Sequence, residues 1–236
     1  MPARYQHLRA EQILSTLDKL RDRIVARFPD AGLAGVCSEL IETAQHSAKE
    51  AAQLARPSYG WRAVSLLLIL GGVAAQIAAF KFLRVQSSML SAPELVQGLE
   101  AAVNLLILFG GAVWFVLTLE ERGKRRRAMD SLHRLRSLAH VIDMHQLTKD
   151  PTIVLDAQKT PASPERTMTQ FELTRYLDYC AEMLALIGKL AALYADRMRD
   201  SVVIDGVNEI ENLTSGLGRK IWQKITIIGA LEERGA

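Results

Sequence analysis

The sequence predicts an all-α membrane protein: a two-helix transmembrane hairpin with a cytoplasmic helical bundle or coiled coil built from both ends of the chain. Three observations carry this. Two apolar runs, residues 63–80 and 101–119, contain no Asp, Glu, Lys, Arg or His, and each has about the 18 residues needed to cross a hydrocarbon core of ~30 Å. Lys and Arg crowd the outer flanks of the runs. The rest of the chain repeats its apolar residues with the four-three spacing of amphipathic helices. Averaged over the chain, 49% hydrophobic and 23% charged residues would pass for a soluble protein, because the polar portion dilutes the two runs.

Residues 1–60 read as N-terminal cytoplasmic helices. The opening residues, from Met1 to His7, lack the apolar core of a signal peptide, so the first apolar run is expected to stay in the mature protein. From Arg4 to Phe28 the positions Ile13, Leu17, Leu20, Ile24 and Phe28 fall on one helical face. Pro29, Asp30, Ala31 and Gly32 make a turn. A second helix places Leu33, Cys37, Leu40, Ala44, Ala51 and Leu54 on a face of small residues suited to a close partner, and Pro57, Ser58, Tyr59 and Gly60 separate it from the membrane.

Residues 61–83 and 99–120 are the transmembrane helices, with residues 84–98 as a short extracytoplasmic loop. Each span has a glycine pair near its midpoint, Gly71 with Gly72 and Gly110 with Gly111. In an antiparallel hairpin, residues at equal depth have numbers summing to about 181. Gly71 and Gly110 meet that sum, Gln76 with Asn104 falls close to it, and Ser65 with Thr118 follows. Asn104, Gly111 and Thr118 share one face of the second span, and Ser65, Gly72 and Gln76 share one face of the first. Small residues let helices approach closely in lipid, where no hydrophobic drive pulls them together. The stripes therefore either pack on each other or face neighbouring subunits around a pore.

The Lys/Arg bias sets the orientation. Arg122, Lys124, Arg125, Arg126 and Arg127 follow the second span and Arg56 and Arg62 precede the first, whereas the connection holds Lys81, Arg84, Glu94 and Glu100. Both termini are expected in the cytoplasm. Trp61 and Trp114 suit interface anchors. The basic cluster serves as an orientation signal or as a surface for anionic headgroups or a nucleotide-like ligand.

Residues 121–149 continue as a cytoplasmic helix with Ala128, Leu132, Leu135, Ala139, Ile142 and Gln146 at four-three spacing, and Gly123 offers a bend at the membrane surface. Residues 150–168 form a loop with Pro151, Pro161 and Pro164, where Ile153, Val154 and Leu155 could tuck against the bundle. In residues 169–236, Thr169 and Glu172 supply a capping box. A heptad seam follows: Leu173, Leu177, Cys180, Leu184, Ile187, Ala191, Tyr194 and Met198, widened by Tyr176, Met183 and Leu190. It is a seam for the bundle or for an oligomer. A last helix lines up Val203, Val207, Ile210, Leu217, Ile221, Ile225 and Ile228, with Gly216 and Gly218 expected to loosen or break its middle.

Catalytic chemistry is not expected. His133, His140 and Asp143 can share a helix face and His145 points elsewhere, but the histidine spacing is not the i, i+4 pair of a zincin and no second acidic cluster accompanies it. There is no phosphate-binding glycine loop, nucleophile elbow or dinucleotide fingerprint, so neither cofactor nor metal is expected. Cys37 and Cys180, on apolar faces, read as small core residues in a reducing compartment.

In the order of its elements the chain resembles the bacterial two-transmembrane effector domains of the SLATT type. The resemblance covers layout and topology rather than a motif. It implies a membrane hairpin with cytosolic helices that forms pores in nucleotide-signalling or conflict systems. The expected function is a self-associating effector or channel of the inner membrane, with a non-enzymatic scaffold recruiting a cytosolic partner as the alternative. The expected partners are anionic lipid headgroups, further copies of the chain and a cytosolic protein, and no nucleic acid.

Overall fold

The structure is a computed structural model that describes residues 8–54, 59–86, 92–149 and 168–235. The expected signal-peptide-free start, the Pro57 linker and the proline loop with Ile153, Val154 and Leu155 lie outside these residues, as do Arg56 and the side chains of Arg84 and Glu94. The described residues form helices α1 (Ala10–Arg27), α2 (Gly32–Leu54), α3 (Tyr59–Gln86), α4 (Ala92–Leu147), α5 (Gln170–Arg197) and α6 (Ser201–Gly235), with no strand among them. The chain divides into two compact units, one made of Met1–Ala55 and Arg127–Ala236, the other of Arg56–Arg126.

In the first unit, α1, α2, the C-terminal half of α4, α5 and α6 share one core. α1 ends where the Phe28 N–H bonds the Ile24 carbonyl at 2.7 Å and Pro29 follows, which cannot donate to a continuing helix. The Phe28 ring then meets Tyr176 and Tyr179 edge-on, at centroid distances of 5.6 and 6.3 Å. α5 starts at a capping box: the Thr169 hydroxyl accepts from the Glu172 N–H at 3.2 Å, and the Glu172 carboxylate accepts from the Thr169 N–H at 2.8 Å. These bonds hold the Glu172 carboxyl below its usual range. At α6 the Asp200 carboxylate accepts from the Val202 and Val203 N–H groups at 3.0 and 3.2 Å, acting as the N-cap.

The stripes spaced four-three in the sequence are the buried ones. On α5, Leu177, Cys180, Leu184, Ile187, Ala191 and Tyr194 lie inside the chain's own core, and Leu173 and Met198 are half-buried at its ends. These residues therefore pack within the chain's own core. On α6, Val203, Val207, Ile210, Leu217, Ile221 and Ile228 are buried.

Some boundaries differ from the sequence reading. α6 runs unbroken through Gly216 and Gly218. Each glycine costs a helix about 1 kcal/mol, and burying Leu217 and Ile221 beside them, at ~1.5–3 kcal/mol per side chain, outweighs it. α4 continues through Gly123 as helix, as the spacing of residues 128–146 leads one to expect. α3 extends to Gln86 and α4 begins at Ala92, so both helices take up residues expected in the 84–98 connection. α1 is described from Ala10 rather than Arg4. One glycine has a packing role that spacing alone does not show: a Cβ on Gly206 would come within 3.2 Å of Leu132 Cδ1 and Met129 Cε, so α6 and α4 approach closely there.

Candidate functional site

α3 and the N-terminal half of α4 stand apart from the rest of the chain in composition and exposure. Both are long and apolar enough to cross a membrane, and within their apolar windows 6% of residues in α3 and none in α4 are buried. Leu67 is 71% exposed and Leu108 71%. Trp61 and Trp114 are also exposed. A core helix of a soluble protein would show the opposite, and contiguous exposed apolar surface of this extent marks a membrane or partner contact.

The two helices touch at identifiable points. Arg62 Nε lies 3.7 Å from Glu120 Oε2, and a methyl group added at Gly72 would overlap the Phe109 ring. Residue numbers rise along α3 as they fall along α4 between these contacts. On α3 the less exposed positions are Ser65, Ile69, Gly72 and Gln76. On α4 they include Phe109, Val113, Val116, Thr118, Leu119 and Glu120. Gly72 thus accommodates a large ring rather than another small residue.

The remaining stripe residues are placed differently. Gly71, Gly110 and Gly111 have nothing within 4 Å of where a Cβ would sit, and Asn104, Gly110 and Gly111 are exposed. Thr118 is half-buried and donates to its own helix, at the Phe115 carbonyl, 2.9 Å away. Gln76 is half-buried, and its Nε2 is fully covered with no hydrogen bond among the described residues. An amide nitrogen so placed in an apolar setting costs free energy unless a partner arrives.

At the charged end of this pair, Lys124 Nζ binds Glu120 at 2.7 Å, and the Arg122 guanidinium lies 5.6 Å from the Phe115 ring centroid. Arg126 and Arg127 are exposed and Arg125 is half-buried.

The first unit contains a polar cluster that sequence spacing did not single out. Glu50, with 15% of its side chain exposed, accepts hydrogen bonds from the Ser131 hydroxyl, from the Tyr194 hydroxyl at 3.3 Å and from Arg134 at 3.5 Å. His46 Nδ1 lies 3.7 Å from the same carboxylate. The cluster ties α2, α4 and α5 together, each donor satisfying one lone pair of a nearly enclosed charge. A signal for it exists in hindsight. Ser47 sits between Ala44 and Ala51 on the buried face of α2, and Ser131 between Ala128 and Leu135 on that of α4, so hydroxyls interrupt both apolar stripes.

A second polar contact closes the C-terminus of α4. Lys224 Nζ donates to the Gln146 carbonyl at 2.9 Å, to Gln146 Oε1 at 2.7 Å and to the Lys149 carbonyl at 3.4 Å, a cation where the helix dipole favours one. Gln146 Nε2 in turn donates to Asp143 Oδ1 at 2.6 Å. The histidines do not converge with Asp143. His133 and His140 are exposed, and His145 Nδ1 lies 3.4 Å from the Tyr176 hydroxyl. Among the described residues no group of three or more His, Cys, Asp or Glu is arranged to hold a metal. Both cysteines are free and buried; burial pushes the Cys37 thiol up to about 11 and the Cys180 thiol up to about 12.

Comparison of the chain with protein-family models, with curated proteins and with solved structures finds no match.

Proposed function

We propose that this chain is an integral protein of the cytoplasmic membrane, whose α3 and α4 cross the bilayer as a hairpin with both termini in the cytoplasm. The observation that carries this reading is the exposure of nearly all apolar side chains in two helices of spanning length. The orientation rests on Arg122, Lys124, Arg125, Arg126 and Arg127 at the end of the second span.

Within that reading the protein acts by association of hairpins, as a pore-forming or membrane-perturbing effector. The face of α4 that carries Asn104 and Gly111 is left open, and an amide in lipid gains by pairing with a neighbour or by lining a wet path. The role is non-enzymatic. Exposed Trp222, Val202 and Ile227 on α6 favour a second reading, a membrane scaffold that presents this helix to a cytosolic partner.

Liposomes holding the purified full chain and a trapped dye test the first reading. Leakage is expected, and Asn104→Leu is expected to lower it ~3- to 30-fold, the span set by about 0.6–2 kcal/mol for an interhelical hydrogen bond in a membrane. Tight vesicles that contain folded, inserted protein would overturn the pore and leave the scaffold.

A further inference from the structure

Between α3 and α4, beside the contact of Arg62 with Glu120, lies a cleft of about 460 Å³, within the range of small-molecule sites. Its rim carries two cations, Arg62 and Lys124, and two carboxylates, Glu120 and Glu121. Its floor is formed by Leu66, Ile69 and Leu117, with the buried hydroxyl of Ser65 beside them. Glu120 is already held, by Lys124 at 2.7 Å and by Arg62 Nε at 3.7 Å. The Arg62 side chain is nevertheless 64% exposed, and its two terminal nitrogens carry four further donors. Glu121 is exposed at the opposite sign.

An occupant must match this pattern: an apolar portion for the floor, and a head with both charges for a rim whose formal charges cancel. We propose that the cleft binds one phospholipid whose headgroup joins a phosphate to an ammonium, as in the ethanolamine type. The phosphate pairs with Arg62 and Lys124, the ammonium with Glu121, and an acyl chain follows Leu66, Ile69 and Leu117. An anionic lipid without an amine would set its negative charge beside Glu121 with nothing to offset it. Its place is the pair Arg126 and Arg127, both exposed. A soluble phosphate would leave the apolar floor unused. This assignment rests on the membrane reading, since it places the cleft at the cytoplasmic headgroup level.

The test uses the full chain in nanodiscs of equal phosphatidylethanolamine and phosphatidylglycerol, followed by native mass spectrometry of the lipids that stay bound in detergent. Enrichment of phosphatidylethanolamine by about threefold is expected, the scale of one exposed ion pair. Glu121→Gln should abolish the preference while lipid still binds. Arg62→Gln should lower retention of both lipids, and Arg126→Gln, outside the cleft, should leave the preference intact. Soluble phosphoethanolamine should fail to displace the lipid, because it lacks the chain that fills the floor.

Equal retention of the two lipids, preference for phosphatidylglycerol, a Glu121→Gln variant with the preference intact, or displacement by phosphoethanolamine would each overturn the proposal. Alkaline carbonate extraction of the same membranes separates this from a failure of the membrane reading. Protein that washes off the membrane refutes insertion itself, and protein that stays but selects no lipid refutes the cleft alone.

Discussion

One helix, α4, meets two different surroundings along its length. Over residues 128–146 its apolar residues form a stripe, with Ala128, Leu132, Leu135, Ala139 and Ile142 buried while His133, Arg134, Arg136 and His140 are exposed on the other side. Arg136 reaches Glu209 of α6 at 3.1 Å. Over residues 101–119 the apolar residues go all the way round, and Leu106, Ile107 and Leu108 are exposed together with Trp114 and Leu117. A stripe is satisfied by protein on one side and water on the other. A full apolar circumference has no such solution in water, and lipid is the solvent that suits it. The chemistry of the environment is therefore written in the angular distribution of apolar residues more than in their number.

The strongest way to break this contrast is to place a charge in each region. Leu184→Asp puts a carboxylate at a fully buried position of α5, and loss of more than about 4 kcal/mol is expected. Circular dichroism melts should lose their cooperative transition and limited proteolysis should cut the first unit readily. A variant that folds as a monomer instead would mean the α5 seam faces other copies and not its own core. Ile107→Arg is the counterpart in the apolar half, at a residue 64% exposed. Surrounded by lipid, it should cost insertion about 2.5–3.5 kcal/mol, seen as protein released by alkaline extraction. Surrounded by water, the same change should shift stability by no more than about 0.5 kcal/mol and leave fractionation unchanged.

The helical class and the buried faces were legible because burial on an amphipathic helix repeats with the turn. Leu177, Leu184 and Ile187, or Leu132, Leu135 and Ile142, announce themselves by spacing alone. Within the apolar runs that signal vanishes, since every face is apolar. The small and the few polar residues then stand out as the contrast, yet the contact between α3 and α4 is made by Phe109 over Gly72 while Gly71, Gly110 and Gly111 face open space. Size complementarity between a notch and a ring depends on rotation of each helix about its axis, which residue type does not encode. The Glu50 cluster was hidden for another reason. Its value comes from Ser131, Tyr194 and Arg134 converging from helices far apart in sequence, and the local trace, a serine within each apolar stripe, does not tell which side chains it meets. Glycines misled in the other direction, because the propensity of Gly216 and Gly218 is a local term that the core around Leu217 overrides.

The smallest effect concerns the thiols, which report on the first unit alone because Cys37 and Cys180 both belong to it. Burial raises both, Cys37 to about 11 and Cys180 to about 12, so the folded chain keeps these protons more tightly than the unfolded chain, whose thiols titrate near ~8.5. The sign follows from that difference. Their contribution to stability is fully present below the unfolded value and is lost as pH rises through it towards the folded values. The denaturant midpoint of the first unit should accordingly hold steady from about pH 7 to 8 and decline above about pH 9. Tyr176 and Tyr194, also raised by burial, add to the decline above about pH 10. Alkylation by iodoacetamide at pH 8 should run roughly a hundredfold or more slower than for a free thiol and recover its normal rate in denaturant. Cys37→Ala should flatten the alkaline limb of the stability profile. A variant with an unchanged limb would mean that Cys37 is as free to ionise in the folded chain as in the unfolded one, and would separate its apolar surroundings from the tight core drawn around α2.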